Sequence, residues 1–314
     1  MASPGRRVRE LLASGPVHAG GCFDALSGRL VEEAGYPVAY ISGLAVEATQ
    51  LASADIGLIT RTEMVTHAAR IAGAVGIPVL CDVDTGYGDV VNIGRTVREF
   101  ERAGIAGIQI EDQTDPKTCP LLASPDVLPV DVATRRIVAA AEARTDPDFL
   151  IIGRTDAYEL SFNEVVSRAN AYLAAGADIA LSPLKEVDGK PLAGLPVDEQ
   201  IKWHSRYCAE IDGPVLGMHV PPGRAVADMF EVGYRMMVLP TLALQAAATA
   251  IRSVLTATYA AGSVEQWFAE HPRDTDVVGE GLLRFLGAER DLAVQQRLGS
   301  QASTPHVSTP GGPQ

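Results

Sequence analysis

Between residues 15 and 262, short runs of apolar and β-branched residues alternate with longer stretches whose apolar positions recur every three or four residues. The first pattern is that of buried strands, the second that of amphipathic helices. Eight such runs stand at Val17 to Cys22, Pro37 to Ser42, Ile77 to Val83, Ile105 to Glu111, Phe149 to Arg154, Ala177 to Pro183, Pro214 to His219 and Arg235 to Pro240. Each run is followed by a candidate helix, for example Asp24 to Ala34, Arg61 to Val75, Val91 to Ala103, Asp131 to Arg144 and Glu164 to Ala175. This alternation predicts a parallel sheet with crossover helices, and eight equivalent units predict its closure into an α/β fold of the (β/α)8 TIM-barrel type. An open doubly wound sheet is the alternative, and it lacks the usual GxGxxG after the first strand. At Ala34-Gly35, Ala103-Gly104 and Ala175-Gly176 a glycine stands where the chain must leave a helix in the left-handed conformation.

Past the eighth run the character changes. Leu242 to Ala261 reads as one Ala-rich helix and Val264 to Leu298 as further helices, while the Ser, Thr, Pro and Gly of 300–314 predict a disordered tail. The expected division is a catalytic barrel over 1–262, C-terminal helices over 263–299 and the tail.

Of the 314 residues 47% are hydrophobic and 21% charged, a globular composition. The net charge of −13 repels phosphate backbones and anionic lipids, so neither nucleic acid nor a membrane surface is an expected partner. No run approaches the ~18 apolar residues of a membrane span. The four cysteines form no CxxC pair, which argues against a disulfide framework or structural zinc and for the cytoplasm.

In a barrel of this kind chemistry sits where strands end, and here those ends are polar. They read Tyr40-Ile41-Ser42-Gly43-Leu44, Asp82-Val83-Asp84-Thr85-Gly86-Tyr87-Gly88, Glu111-Asp112-Gln113, Arg154-Thr155-Asp156 and Met218-His219. Asp82 and Asp84, two apart on a strand, are expected to face the same side, with Glu111 joining them from the next strand. Clustered carboxylates raise one another's pKa unless a cation neutralises them, and an all-oxygen set suits Mg²⁺ or Mn²⁺. Plainer uses exist: Asp84 could cap the Thr85-Gly86 turn, Glu111 could pair with an arginine, and Arg154 could pair with Asp156.

The motifs YISG (Tyr40 to Gly43), DVDTGYG (Asp82 to Gly88), IEDQ (Ile110 to Gln113), PKTC (Pro116 to Cys119) and GRTDA (Gly153 to Ala157) resemble, in order and spacing, the isocitrate lyase and phosphoenolpyruvate mutase superfamily. The resemblance implies a (β/α)8 barrel, a last helix exchanged between subunits, and a Mg²⁺ site that binds a 2-oxo acid and stabilises its enolate. It implies that Asp82 holds the metal directly, with Asp84, Glu111 and Asp55 acting through bound water. Tyr40, Ser42, Gly43, Leu44, Asp82 and Arg154 then form the substrate site.

The sequence also departs from the family. Its lyases carry K-[KR]-C-G-H on a mobile loop, where this chain has Lys117-Thr118-Cys119-Pro120-Leu121. Lys117 and Cys119 remain candidate catalytic residues, and without the histidine less favours the thiolate at Cys119. Positions that bind distal carboxylates in the tricarboxylate lyases match Leu184, Met218 and Val220 here, which disfavours isocitrate and methylisocitrate. The Asn and Ser of the mutase loop are replaced by Cys119 and Pro120. His219 is a new polar group at the barrel mouth, either a satisfied strand-end histidine or a replacement acid or base.

The favoured reading is a Mg²⁺-dependent carbon–carbon lyase or decarboxylase acting on a substituted 2-hydroxy or 2-oxo acid. Carbon–phosphorus chemistry at the same site and a non-catalytic oxo-acid-binding barrel are the alternatives. A homo-oligomer, tetramer or swapped dimer, is expected. The loop from Gln113 to Pro129 is expected to close over a bound acid.

Overall fold

The structure is a computed structural model that describes residues 2–299, so the expectation for the tail over 300–314 lies outside the described residues. Eight parallel strands form a closed barrel in sequence order: β1 (Val17–Cys22), β2 (Val38–Ile41), β3 (Val79–Asp82), β4 (Gly107–Glu111), β5 (Leu150–Arg154), β6 (Ile179–Leu181), β7 (Val215–Gly217) and β8 (Met236–Leu239). Closure comes from β8, whose Met236 to Leu239 pair in register with Val17 to Gly20 of β1. All eight strands lie inside the apolar runs of the sequence, shortened where the run continues into a loop.

Alternation along the strands gives the barrel an inside and an outside. Val17, Ala19, Val38, Tyr40, Leu80, Leu150, Ile152, Leu216 and Val238 form the interior cluster, which the N-terminal helix closes with Val8. The opposite faces pack under the surrounding helices, with Ile41, Cys81, Ile108 and Ile151 meeting Ile71, Val97 and Ile137. Helices form at Ala25–Glu33, Arg61–Ala74, Val90–Arg102, Val130–Ala143 and Phe162–Ala174, within a residue or two of the sequence reading. The glycines that end three of them, Gly35, Gly104 and Gly176, take φ of +89°, +81° and +103°.

Three elements escape the sequence pattern. Pro4–Ser14 is a helix capped by Ser3, Gly43–Leu51 is a helix started by Ser42, and Glu186–Val187 pairs with Lys190–Pro191 in a short antiparallel hairpin after β6. The last two flank the site described below.

The described chain falls into two compact units that part at Ala247 and Ala248. In the second, the rest of helix Leu242–Ala261 is followed by helices Glu265–Glu270, Glu280–Phe285 and Ala288–Gly299, and Leu255 and Tyr259 stand 63% and 93% exposed. No helix among the described residues is long and apolar enough to cross a membrane.

Candidate active site

The inward face of each central strand turns polar at its C-terminal end. Asp82 follows Leu80 on β3, Glu111 follows Gln109 on β4 and Arg154 follows Ile152 on β5, so three charged side chains crown the apolar interior. Register places Asp82 beside Gln109 and Glu111 beside Arg154. Gln109 Nε2 donates to Asp82 Oδ1 at 2.9 Å, and its Oε1 accepts from the Tyr40 hydroxyl at 2.5 Å. Tyr40, expected in the substrate site, thus lies fully buried beneath Gln109 and orients Asp82 from below.

Asp84 reaches the cluster by a different route from the one expected. The strand stops at Asp82, and Asp84 sits in the turn beyond it with φ +52°, a conformation aspartate tolerates better than most residues. Its amide donates to Asp82 Oδ1 at 3.2 Å. The turn, and not strand alternation, brings the two carboxylates together.

Lys117 from the loop after β4 enters this cluster. Its Nζ lies 2.6 Å from Asp55 Oδ1, 2.5 Å from Asp84 Oδ1 and 3.7 Å from Glu111 Oε1, with the lysine only 5% exposed. Burial pulls its pKa down, but Glu111, Asp84, Asp82 and Asp55 prevail and hold it well above the ordinary lysine value. Arg154 spans Glu111 Oε2 and Asp156 Oδ2, both at 2.9 Å, and its Nε donates to Asp156 Oδ1 at 3.1 Å. Arg154 also lines the cavity, where its guanidinium is placed to meet a ligand carboxylate.

The residues present fit a divalent cation at Asp82. Burial first, then Asp84 and Glu111, hold Asp82 up to about 7 against the opposing pull of Lys117. Burial and Glu111 hold Asp84 up to about 6. The cluster therefore remains short of positive charge. Asp55 Oδ1 and both Glu111 oxygens, although ion-paired, accept no well-directed hydrogen bond. A Cβ at Gly43 would stand 3.1 Å from Asp82 Oδ2, so glycine keeps that oxygen clear. Among the described residues no three His, Cys, Asp or Glu side chains converge tightly enough to hold an ion alone. A cation held directly by Asp82 and reaching the other carboxylates through water needs no such convergence, since Mg²⁺ keeps several of its waters.

Ser42 is the N-cap of Gly43–Leu51, its Oγ accepting from Ala45 N at 3.3 Å. The helix start leaves backbone N–H groups without helical partners beside Asp82, where a carboxylate is favoured. Ser42, Leu44, Asp55, Asp82, Cys119, Arg154 and His219 line a cavity of about 240 Å³, whereas Tyr40, Asp84, Glu111 and Lys117 stand behind its wall. Cys119 is 5% exposed, and burial, with Asp55 beside it, pushes its thiol up to about 11. It is a neutral thiol at physiological pH. His219 is also neutral, its pKa lowered by burial and by Lys185, and its Nε2 has no hydrogen-bond partner among the described residues. Its ring centroid is 6.2 Å from that of His204, whose Nδ1 pairs with the Tyr234 hydroxyl at 2.7 Å.

Sequence reasoning missed the residues that hold these groups in place. Asp112 accepts from the Thr155 hydroxyl, Asp156 N, Arg168 and Tyr172, tying the ends of β4 and β5 to the helix layer. Gln113 donates to Asp156 Oδ2 at 2.6 Å and accepts from Thr118 N at 2.9 Å, anchoring the loop that carries Lys117. Both lie in the IEDQ motif, where their adjacency to Glu111 was the available signal.

A barrel with a carboxylate crown, a helix start facing it and a loop lysine among the acids is the active-site arrangement of an α/β-barrel enzyme. A model of the phosphoenolpyruvate phosphomutase family matches residues 8–259, and the chain belongs to that family. The chain is 36% identical to 2,3-dimethylmalate lyase of Eubacterium barkeri over 257 residues, 80% of this chain and 84% of that one. A crystal structure of 2,3-dimethylmalate lyase superposes with a TM-score of 0.82 at 27% identity, covering 98% of this chain and all of that one (100%). A phosphonopyruvate hydrolase solved with oxalate and Mg²⁺ superposes with a TM-score of 0.80 at 27% identity, over 94% of this chain and 99% of that one.

Proposed function

We propose that this protein is a Mg²⁺-dependent carbon–carbon lyase that cleaves a substituted 2-hydroxy acid of the malate type, releasing a 2-oxo acid, with decarboxylation of a 2-oxo acid as the variant of the same chemistry. The observation that carries this reading is the cavity itself, whose lining brings together Ser42, Asp82 and Arg154, the Cys119 thiol, Lys185 and His219, and the apolar Leu184, Leu192 and Met218. Mg²⁺ or Mn²⁺ at Asp82 would supply positive charge where an oxyanion develops.

The chain's own groups do the rest. The amides at the start of Gly43–Leu51 and the Arg154 guanidinium hold the substrate carboxylate. Cleavage breaks the bond between C2 and C3: the hydroxyl proton passes to a carboxylate of the cavity wall, Asp55 being the one that lines it beside Asp82, the oxygen becomes the carbonyl of the 2-oxo acid, and the electron pair of the broken bond passes to C3 and into the carboxylate that C3 carries. The neutral Cys119 thiol supplies the proton that C3 then takes up. His219, neutral and facing the same cavity, is the competing donor. The loop 113–129 excludes water from that carbanion.

The relative named 2,3-dimethylmalate lyase supports this reading by its likeness over most of the chain. The enzyme works as a homo-oligomer in the cytoplasm, with residues 263–299 serving subunit exchange. An apolar groove of about 350 Å³ supports this, lined by Leu26, Leu30, Val31 and Tyr36 beside the start of the helix at Leu242. The test is release of a 2-oxo acid from a panel of substituted malates with Mg²⁺ and with chelator. Mg²⁺-dependent release bears the reading out, whereas inorganic phosphate from phosphonopyruvate with no malate cleaved would replace it by carbon–phosphorus chemistry.

A further inference from the structure

The cavity has two kinds of lining. Besides Ser42, Asp82 and Arg154 it is lined by the apolar Leu44, Leu121, Leu184, Leu192 and Met218. Two devices present this apolar wall. Leu184 stands just after β6 with φ +44°, a left-handed conformation that a bulky side chain adopts only where the surroundings enforce it. Its amide reaches back to Ser182 Oγ at 3.3 Å and its side chain is 1% exposed. The hairpin that follows turns on Asp188 and Gly189, both at positive φ, and closes with Leu192 N donating to Lys185 O at 2.8 Å. That excursion returns Leu192 to the cavity, where it is 2% exposed and packs with Leu184, Tyr158 and Phe162.

A strained leucine and a dedicated hairpin are more than the barrel needs to end a strand. We propose that Leu184 and Leu192, with Met218 of the same lining, are the specificity-determining residues, and that they select a substrate whose C3 carries an unbranched apolar chain of a few carbons instead of a carboxylated one. The inference rests on the carboxylate-binding role of the Ser42 to Arg154 set. A carboxylate seated against these three side chains would lose its water without gaining a partner from them, whereas each methylene buried there adds affinity. Space is adequate, since an apolar cavity of about 150 Å³ already holds a benzene ring and this one measures about 240 Å³ with the head group included. The lining also holds Lys185, which is exposed, the neutral His219, and Thr241. They are the groups that a carboxylated tail would have to use.

Calorimetric titration of the Mg²⁺-loaded protein with pyruvate, 2-oxobutanoate, 2-oxopentanoate, 2-oxohexanoate and 2-oxoglutarate tests this. Affinity is expected to rise about fourfold per methylene along the unbranched series, with 2-oxoglutarate at least roughly tenfold weaker than 2-oxopentanoate, its match in chain length. Leu184→Glu and, independently of the strained backbone, Met218→Gln are expected to flatten the series while leaving pyruvate binding unchanged. A flat series in the wild type, or tighter binding of 2-oxoglutarate than of 2-oxopentanoate, overturns the proposal. If no oxo acid binds, the head-group reading falls and this one with it. A graded series without cleavage of any malate would remove the lyase reading and leave the selector standing.

Discussion

The Lys117 ammonium lies 2.5 Å from Asp84 Oδ1, and both side chains are shut off from solvent. This pair joins the loop after β4 to the turn after β3, and Asp55 extends it to the loop that follows helix Gly43–Leu51. Gly57 in that loop leaves room for the lysine stem, for a Cβ there would stand 3.0 Å from Lys117 Cγ. Removing one partner of such a buried set leaves the others uncompensated, at a cost of about 3–5 kcal/mol. Lys117→Met is therefore expected to lower the denaturant midpoint of the protein in chelator. Added Mg²⁺ should restore much of the loss by replacing the missing charge, and equal midpoints for variant and wild type in chelator would contradict the expectation.

Asp82 carries the metal reading. Asp82→Ala is expected to fold, since its loss removes a carboxylate from an overcrowded cluster, but to show no Mg²⁺ binding by calorimetry and no activity. Chelator should silence the wild type, with Mg²⁺ or Mn²⁺ restoring it. Full activity in the alanine variant would remove the metal from the mechanism.

Cys119 and His219 compete for the role of proton donor, and their variants separate them. If the thiol donates, Cys119→Ser lowers kcat by roughly 10²-fold or more, the usual worth of a positioned acid, and His219→Ala changes it little. The reverse pattern assigns the role to His219, and near-wild-type rates in both exclude each. A thiol held at about 11 remains protonated across the physiological range. Its acid function should thus persist with rising pH and fail only as pH passes through that value, and Cys119 should alkylate slowly at neutral pH.

Much of this molecule could be read from the chain alone, because the signals were local. Strands such as Val79–Asp82 are apolar runs with one polar residue at the end, and the helix-ending glycines stand where left-handed φ is required. Asp82, Glu111 and Arg154 were legible as strand ends of a barrel. What escaped depends on three-dimensional context. Helix Gly43–Leu51 begins in a motif that reads as a strand end, and no spacing rule shows that its start would face Asp82. Tyr40 looked like a ligand-binding residue, but its hydroxyl is spent on Gln109. Lys117 sits in a proline-rich loop, and nothing local places its ammonium between Asp55 and Asp84. The hairpin after β6 has strands of two residues each, too short for any alternation to register.

The final prediction concerns assembly. Helix Leu242–Ala261 has no buried residue, although Leu242, Ile251, Leu255 and Tyr259 all stand more than half exposed. In the first unit, Leu26 and Leu30 of helix Ala25–Glu33 are 40% and 37% exposed along the apolar groove beside β1. Apolar surface left open on this scale favours association, because burying it gains about 25 cal/mol per Å² before the cost of association is met. Light scattering is expected to give the mass of a dimer or tetramer at micromolar concentration. Leu30→Glu, which puts a charge into the groove, and Leu255→Lys, which puts one on the helix, should each shift the population toward monomer, the barrel remaining folded by circular dichroism. A monomer at every concentration in the wild type would contradict subunit exchange, and an oligomer indifferent to both substitutions would place the contact on another surface.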